Sequence, residues 1–153
     1  MSLDKLYEAK ELLNGAHWLA YFVSYPQRLF LLEQLRGEEG EAIADLVIHL
    51  AKAIEATPVT YATNFIDTPN KVVHLHYFGK GVDAWIVERD IGDTQEGTGK
   101  GEQTQAYGKI TLMGDGWQGA EWGYIDIASL IHLGIEIDLY WTPKTVKEIQ
   151  ACT

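Results

Sequence analysis

The stretch Gln105–Trp141, QAYGKITLMGDGWQGAEWGYIDIASLIHLGIEIDLYW, decides the fold. It reads as strand, glycine-rich turn, strand, one short helix, strand. Ile135, Ile137, Leu139 and Trp141 alternate with Glu136, Asp138 and Tyr140, the period-two signature of a half-buried strand. Asp126 suits the N-cap of the inserted helix and Gly134 its C′ position, which allows about two turns between them.

Working back from this unit, the period of two begins at Val59. VTYATNF is expected as a first strand, and Thr68-Pro69-Asn70 as a turn. Val73, Leu75 and Tyr77 then share one face of a strand, while Val72, His74, His76 and Phe78 share the other. Gly79-Lys80-Gly81 turns the chain into VDAWIVERD, through a loop slightly longer than the two-residue minimum. The segment Gly92–Gln103, with four glycines and almost no apolar side chain, is expected as a mobile loop. PKTVKEIQACT adds a last helical turn with Pro143 at its first position.

The first third reads as helix. Ser2–Leu13 places Leu3, Leu6, Tyr7 and Lys10 on one side and stops at Asn14-Gly15. AHWLAYFVSY, residues 16–25, is a buried helix or turn-rich connector, and Pro26 opens QRLFLLEQLR. The clearest helix carries Ile43, Leu46, Val47, Leu50 and Ile54 at three- and four-residue steps, with acidic residues at its start and Pro58 at its end. The expected fold is therefore α+β: N-terminal helices (1–57) followed by an antiparallel β-meander with one short inserted helix (58–153), in a single domain.

The motif Glu121-x-Gly123-Tyr124-Ile125, then Ser129-Leu130, then Gly134 through Tyr140 and Pro143, resembles the C-terminal part of a family of small bacterial proteins of no established activity. That family is carried on plasmids, integrative elements and prophages. The hairpin VVHLHYFGKGVDAWIVERD is similar to the family's earlier strand pair, with Trp85 at a common tryptophan. The resemblance covers roughly the last half of the chain. It implies a mobile-element setting and no mechanism.

Composition narrows the function classes. The formal charge is −10, about −4 over residues 1–60 and −6 over the rest, so the acidity is general. Twelve Lys and Arg, never clustered, disfavour direct nucleic-acid binding. A single cysteine, Cys152, excludes an internal disulfide framework and fits a reducing compartment, and MSLDKLYEAKELL lacks the features of a signal peptide. No apolar run approaches the ~20 residues that span a bilayer. A cytoplasmic protein without a membrane contact is expected.

No complete catalytic motif is present. Gly97-Thr98-Gly99-Lys100-Gly101 lacks the first glycine, the Ser or Thr after lysine, and the following helix of a phosphate loop. Ser129 with His132 lacks a strained nucleophile turn, and Cys152 sits in the tail. His74 and His76 are expected on one strand face, where a metal would need a third ligand such as Glu88 or Asp90. That is the alternative reading, a small metal-dependent enzyme. The main expectation is a non-catalytic protein-binding accessory protein with no cofactor, its sharpest form an acidic inhibitor of a host defence or nucleic-acid-processing protein. Its contact residues would be Trp117, in the glycine-flanked turn GDGWQG, with Asp115, Glu136 and Asp138. Homo-oligomerisation through a sheet edge stays open beside it.

Overall fold

The computed structural model describes residues 3–92 and 98–153. Three helices come first: α1 (Leu3–Leu12), α2 (Tyr25–Leu35) and α3 (Gly40–Ala56), with a 3-10 turn at Trp18–Tyr21 between the first two. Ser24 accepts the Gln27 N–H and so caps α2, with Pro26 in its first turn. Helix α1 turns Leu6 and Ala9 inward, with Leu13 just beyond its end, and leaves Leu3 and Tyr7 exposed, so its buried stripe lies a step round from the expected one.

The chain then forms β1 (Val72–Val73), β2 (Leu75–Gly79), β3 (Val82–Glu88), β4 (Ala106–Thr111), the single-turn α4 (Gly116–Gly119), β5 (Glu121–Ile125), α5 (Ile127–His132), β6 (Glu136–Ile137), β7 (Lys144–Thr145) and α6 (Val146–Ala151). The main sheet is antiparallel in the order β5-β4-β3-β2-β6, and β1 pairs with β7 as a separate ribbon. The architecture is α+β, helices first and a meander after. As expected, Asp126 caps α5, and Gly134 takes a positive φ behind it.

Two apolar clusters flank the sheet. The larger joins Leu19, Phe22, Val47 and Ile54 from the helical third to Leu75, Tyr77, Ile86 and Ile137 from the sheet. The smaller, on the other face, gathers Val73, Trp85, Val87, Trp117, Val146 and Ile149. On β3 the split follows the pleat, with Ala84 and Ile86 in one cluster and Trp85 and Val87 in the other.

Several expectations are corrected. VTYATNF is no strand: residues 60–65 form turns, and Val59 makes a single parallel bridge to Arg89. The expected common face of Val73 with Leu75 and Tyr77 breaks at His74, because Val73 joins the smaller cluster. The β2–β3 loop is the two-residue Lys80-Gly81, both with positive φ (52° and 82°). The last sheet strand is only Glu136–Ile137, because the Asp138 carboxylate accepts the Tyr140 N–H at 2.9 Å and turns the chain. The final helix starts after Thr145, which forms a capping box with Glu148, and not at Pro143. Of the Gly92–Gln103 loop, residues 93–97 lie outside the described residues.

Candidate functional site

The site begins with an irregularity in β3. Ile86 pairs with Gly108 and Glu88 with Tyr107, which leaves Val87 as an extra residue, a β-bulge. Because Tyr107 faces the side of Trp122 and Tyr124, the bulge turns Glu88 to that side too. Glu88 is only 2% exposed.

A carboxylate buried so deeply needs donors, and the 60–65 turn supplies them. The Tyr61 N–H donates to Glu88 Oε1 at 2.9 Å, the Thr63 N–H donates to Oε2 at 3.0 Å, and the Thr63 hydroxyl donates to the same Oε2. Two backbone N–H groups converging on one anion form a nest, which requires a left-handed residue in the run. Tyr61 fills that role at φ 74°, a conformation uncommon for a bulky side chain. Lys71, 8% exposed, completes the arrangement by donating to Thr63 O at 2.6 Å and Thr63 Oγ1 at 2.8 Å. The buried charges are thus linked as Lys71 to Thr63 to Glu88.

Above this floor three tyrosines form a rim. The Tyr61 and Tyr124 hydroxyls lie 2.6 Å apart, and their rings meet edge to face at 6.4 Å. Tyr107 meets Tyr124 edge to face at 6.1 Å. The hydrogen bond to Tyr61, followed by desolvation, raises the Tyr124 phenol above its ordinary pKa. The open cavity they border is about 480 Å³ and is also lined by Asn64, Asp67 and Thr68. Among the described residues its charged lining groups are Asp67, Glu88 and Lys71, a formal charge of −1. A space of that size with aromatic walls and excess negative charge suits a cationic group.

The residues expected from sequence fall elsewhere. Trp117 is not exposed: at 4% it packs edge to face on Trp85 and Trp122, under the Lys109 ammonium 4.3 Å from its ring. The glycine-flanked turn allows this because it closes into α4, which lays the indole on the sheet. Asp115 and Glu136 are exposed but lie near opposite edges of the sheet, Asp115 in the connection to β5 and Glu136 in β6. Asp138 joins neither of them. It sits beside His76.

His76 stacks on Trp85 and Phe78 and packs against Trp141. Its Nε2 is 2.9 Å from Asp83 and its Nδ1 3.4 Å from Asp138, so both ring nitrogens face carboxylates. His74 has a buried Nδ1 without a hydrogen-bond partner, and burial lowers its pKa. The third ligands expected for a metal are directed away: Glu88 into the nest, and Asp90 to the N–H groups of Gly92, Thr104 and Gln105. Among the described residues no group of three His, Cys, Asp or Glu side chains is placed to hold a metal ion, and no helix is long and apolar enough to cross a membrane.

In the sequence Glu88 stands out as a possible metal ligand, whereas Lys71, Thr63 and Tyr61 carry no signal of a site. The one local signal was a carboxylate ending the apolar run Ala84–Val87, where a strand leaving the core rarely buries a charge. No protein-family model, curated protein or solved structure matches this chain.

Proposed function

We propose that this chain is a non-catalytic protein-binding protein that takes a cationic side chain of its partner, a lysine or arginine, into the tyrosine-rimmed cavity over Glu88. The observation that carries this reading is the cavity itself, with Tyr61, Tyr107 and Tyr124 as walls and a lining charge of −1. An ammonium or guanidinium over tyrosine faces gains about 0.5–2 kcal/mol per favourable contact. The general charge of −10 supports it by steering basic surfaces toward the chain. The resemblance of the C-terminal half to mobile-element proteins supports an accessory role in the cytoplasm, without membrane or direct nucleic-acid contact. In its sharpest form the chain blocks basic side chains that a nucleic-acid-processing protein uses to hold phosphate.

The test is a chemical-shift titration with Nα-acetyl-lysine amide and Nα-acetyl-arginine amide against the neutral isostere Nα-acetyl-norleucine amide. The cationic probes shift the Tyr107 and Tyr124 ring signals and the norleucine probe does not. Tyr124→Ala weakens the response about tenfold, as loss of about 1.4 kcal/mol requires. Equal shifts from norleucine amide, or no shift from either cation, would sink the reading.

A further inference from the structure

The two edges of the main sheet are treated differently. At the β6 edge the buried Gln27 side chain stands in for a neighbouring strand. Its Nε2 donates to Ile137 O at 2.9 Å and its Oε1 accepts the Ile137 N–H at 2.9 Å. That edge is closed by the protein's own side chain. At the β5 edge no such partner is found among the described residues. Among the described residues no backbone hydrogen bond outside the β4–β5 ladder involves residues 121–125. In an antiparallel ladder alternate N–H and C=O groups point away from the paired strand, so the outward set of β5 is unpaired.

The surroundings of this edge are built for contact. Tyr124, 55% exposed, lines the cationic-group cavity and also a second cavity of about 530 Å³, which includes Leu112, Met113, Asp115, Glu121 and Trp122. Leu112 and Met113 are 64% and 80% exposed, an apolar pair beside two carboxylates. Gly123, in the middle of β5, has nothing within 4 Å of where a Cβ would stand.

We infer that β5 accepts an extended segment of a partner protein as an added antiparallel strand, with lysine or arginine alternating with apolar residues. This rests on the cavity reading above, because one basic side chain of the segment enters the tyrosine-rimmed cavity. The added strand covers five residues, about 17 Å at 3.4 Å each. Backbone groups supply the affinity, and side chains reaching the two cavities supply the choice of segment.

A second copy of this chain is the poorer occupant. Antiparallel pairing of two β5 strands about Gly123 opposes residue 121 to residue 125, and sets Glu121 of each copy one position from Asp126 of the other. Parallel pairing in register sets each acid beside its own counterpart, and either arrangement joins two chains of charge −10. A basic segment meets Asp115 and Glu121 with complementary charge.

The probe is the peptide acetyl-Lys-Val-Lys-Val-Lys-Val-Lys-amide, compared with the same peptide N-methylated at every residue. Side chains and charge are kept while the N–H donors are lost. At near-physiological salt, where exposed charge pairs are screened over roughly 8 Å, the parent binds and slows amide exchange within 121–125. The N-methylated peptide binds about tenfold or more weakly. Gly123→Arg, which has room to fold, loses the parent peptide to a similar degree but still responds to Nα-acetyl-lysine amide. Equal binding of the two peptides, no binding of the parent, or a dimer that Gly123→Arg dissociates would each overturn the proposal. If the peptide behaves as expected while Nα-acetyl-lysine amide never binds, the edge stands and the cavity reading fails.

Discussion

Gly108 and Gly123 face each other across β4 and β5, yet alanine at the two positions should act in opposite directions. A Cβ at Gly108 would stand 1.9 Å from the Trp85 carbonyl oxygen, 2.9 Å from its carbon and 3.1 Å from Ile86 Cα. All three are backbone atoms, so no side chain can swing aside. Ordinary contact begins at 3.4 Å, so the methyl and the carbonyl must part by about 1.5 Å, enough to break ladder bonds between β3 and β4. Overpacking costs about 1–3 kcal/mol, and each buried backbone group left unpaired costs a further 1–3 kcal/mol or so. Gly108→Ala should therefore destabilise by about 3 kcal/mol or more, lowering Tm by roughly 6–12 °C in a chain of this length.

Gly123→Ala meets open space, and Gly123 has no positive φ. It should be neutral or stabilise by about 0.4–1 kcal/mol through the loss of unfolded-state freedom. Urea denaturation of the two variants beside the parent protein measures the gap, expected at about 3–4 kcal/mol if unfolding is two-state. Since Gly108 pairs with Ile86 next to the bulge, Gly108→Ala should also disturb Glu88 and abolish the response to cationic probes. A Gly108→Ala variant within about 1 kcal/mol of the parent, or two equally harmful variants, would refute the predicted contrast between the two glycines.

Three further outcomes follow from other parts of the structure. Gln27→Leu keeps the volume but strands the Ile137 N–H and C=O, which should cost about 2–4 kcal/mol and speed amide exchange at Ile137; an unchanged exchange rate would show that the edge is not held by Gln27. Trp117→Ala should cost about 3–5 kcal/mol in urea denaturation, as loss of a packed indole does, where an exposed anchor would leave stability within about 0.5 kcal/mol. Acid should weaken the fold from the histidine range downward. Burial depresses the His74 pKa, and burial followed by the Lys100 charge depresses that of His17. The unfolded chain therefore binds more protons there, and stability present above the ordinary histidine pKa of about 6.5 is lost as pH falls below it. His74→Gln should flatten that slope in denaturation curves taken across the range.

Much of the architecture was legible because it depends on local pattern. The 3.6-residue period of Ile43, Val47, Leu50 and Ile54, Pro26 in the first turn of α2 and the cap at Asp126 are short-range signals, and the structure has them. The failures occur where a side chain competes with the backbone. Asp138 takes the Tyr140 N–H and shortens the last strand. Trp117 looked exposed because glycines flank it, and only the packing of α4 on the sheet hides it.

Glu88 is the strongest case of that competition, and it explains why one error both assigned a strand that is absent and concealed a site. VTYATNF has strand-like composition, but a ladder there would need the N–H groups of Tyr61 and Thr63. Glu88 takes both, and charge-assisted hydrogen bonds to a buried carboxylate are stronger than the neutral ladder bonds they replace. The turn then bends Tyr61 over the carboxylate to within hydrogen-bonding distance of Tyr124, 63 residues away. Glu88 reaches that turn only because β3 bulges at Val87 beside Gly108. Each step joins residues far apart in the chain, so no window of sequence contains the cavity. The dependence also runs backward: with Glu88→Leu the nest loses its anion, and residues 59–65 lose the reason to avoid extended structure. Amide exchange and backbone shifts of that segment should then move away from the turn pattern, while a glutamine at 88, whose single carbonyl oxygen can accept from only one side of the nest and whose NH2 would face the other backbone N–H, should retain it only in part.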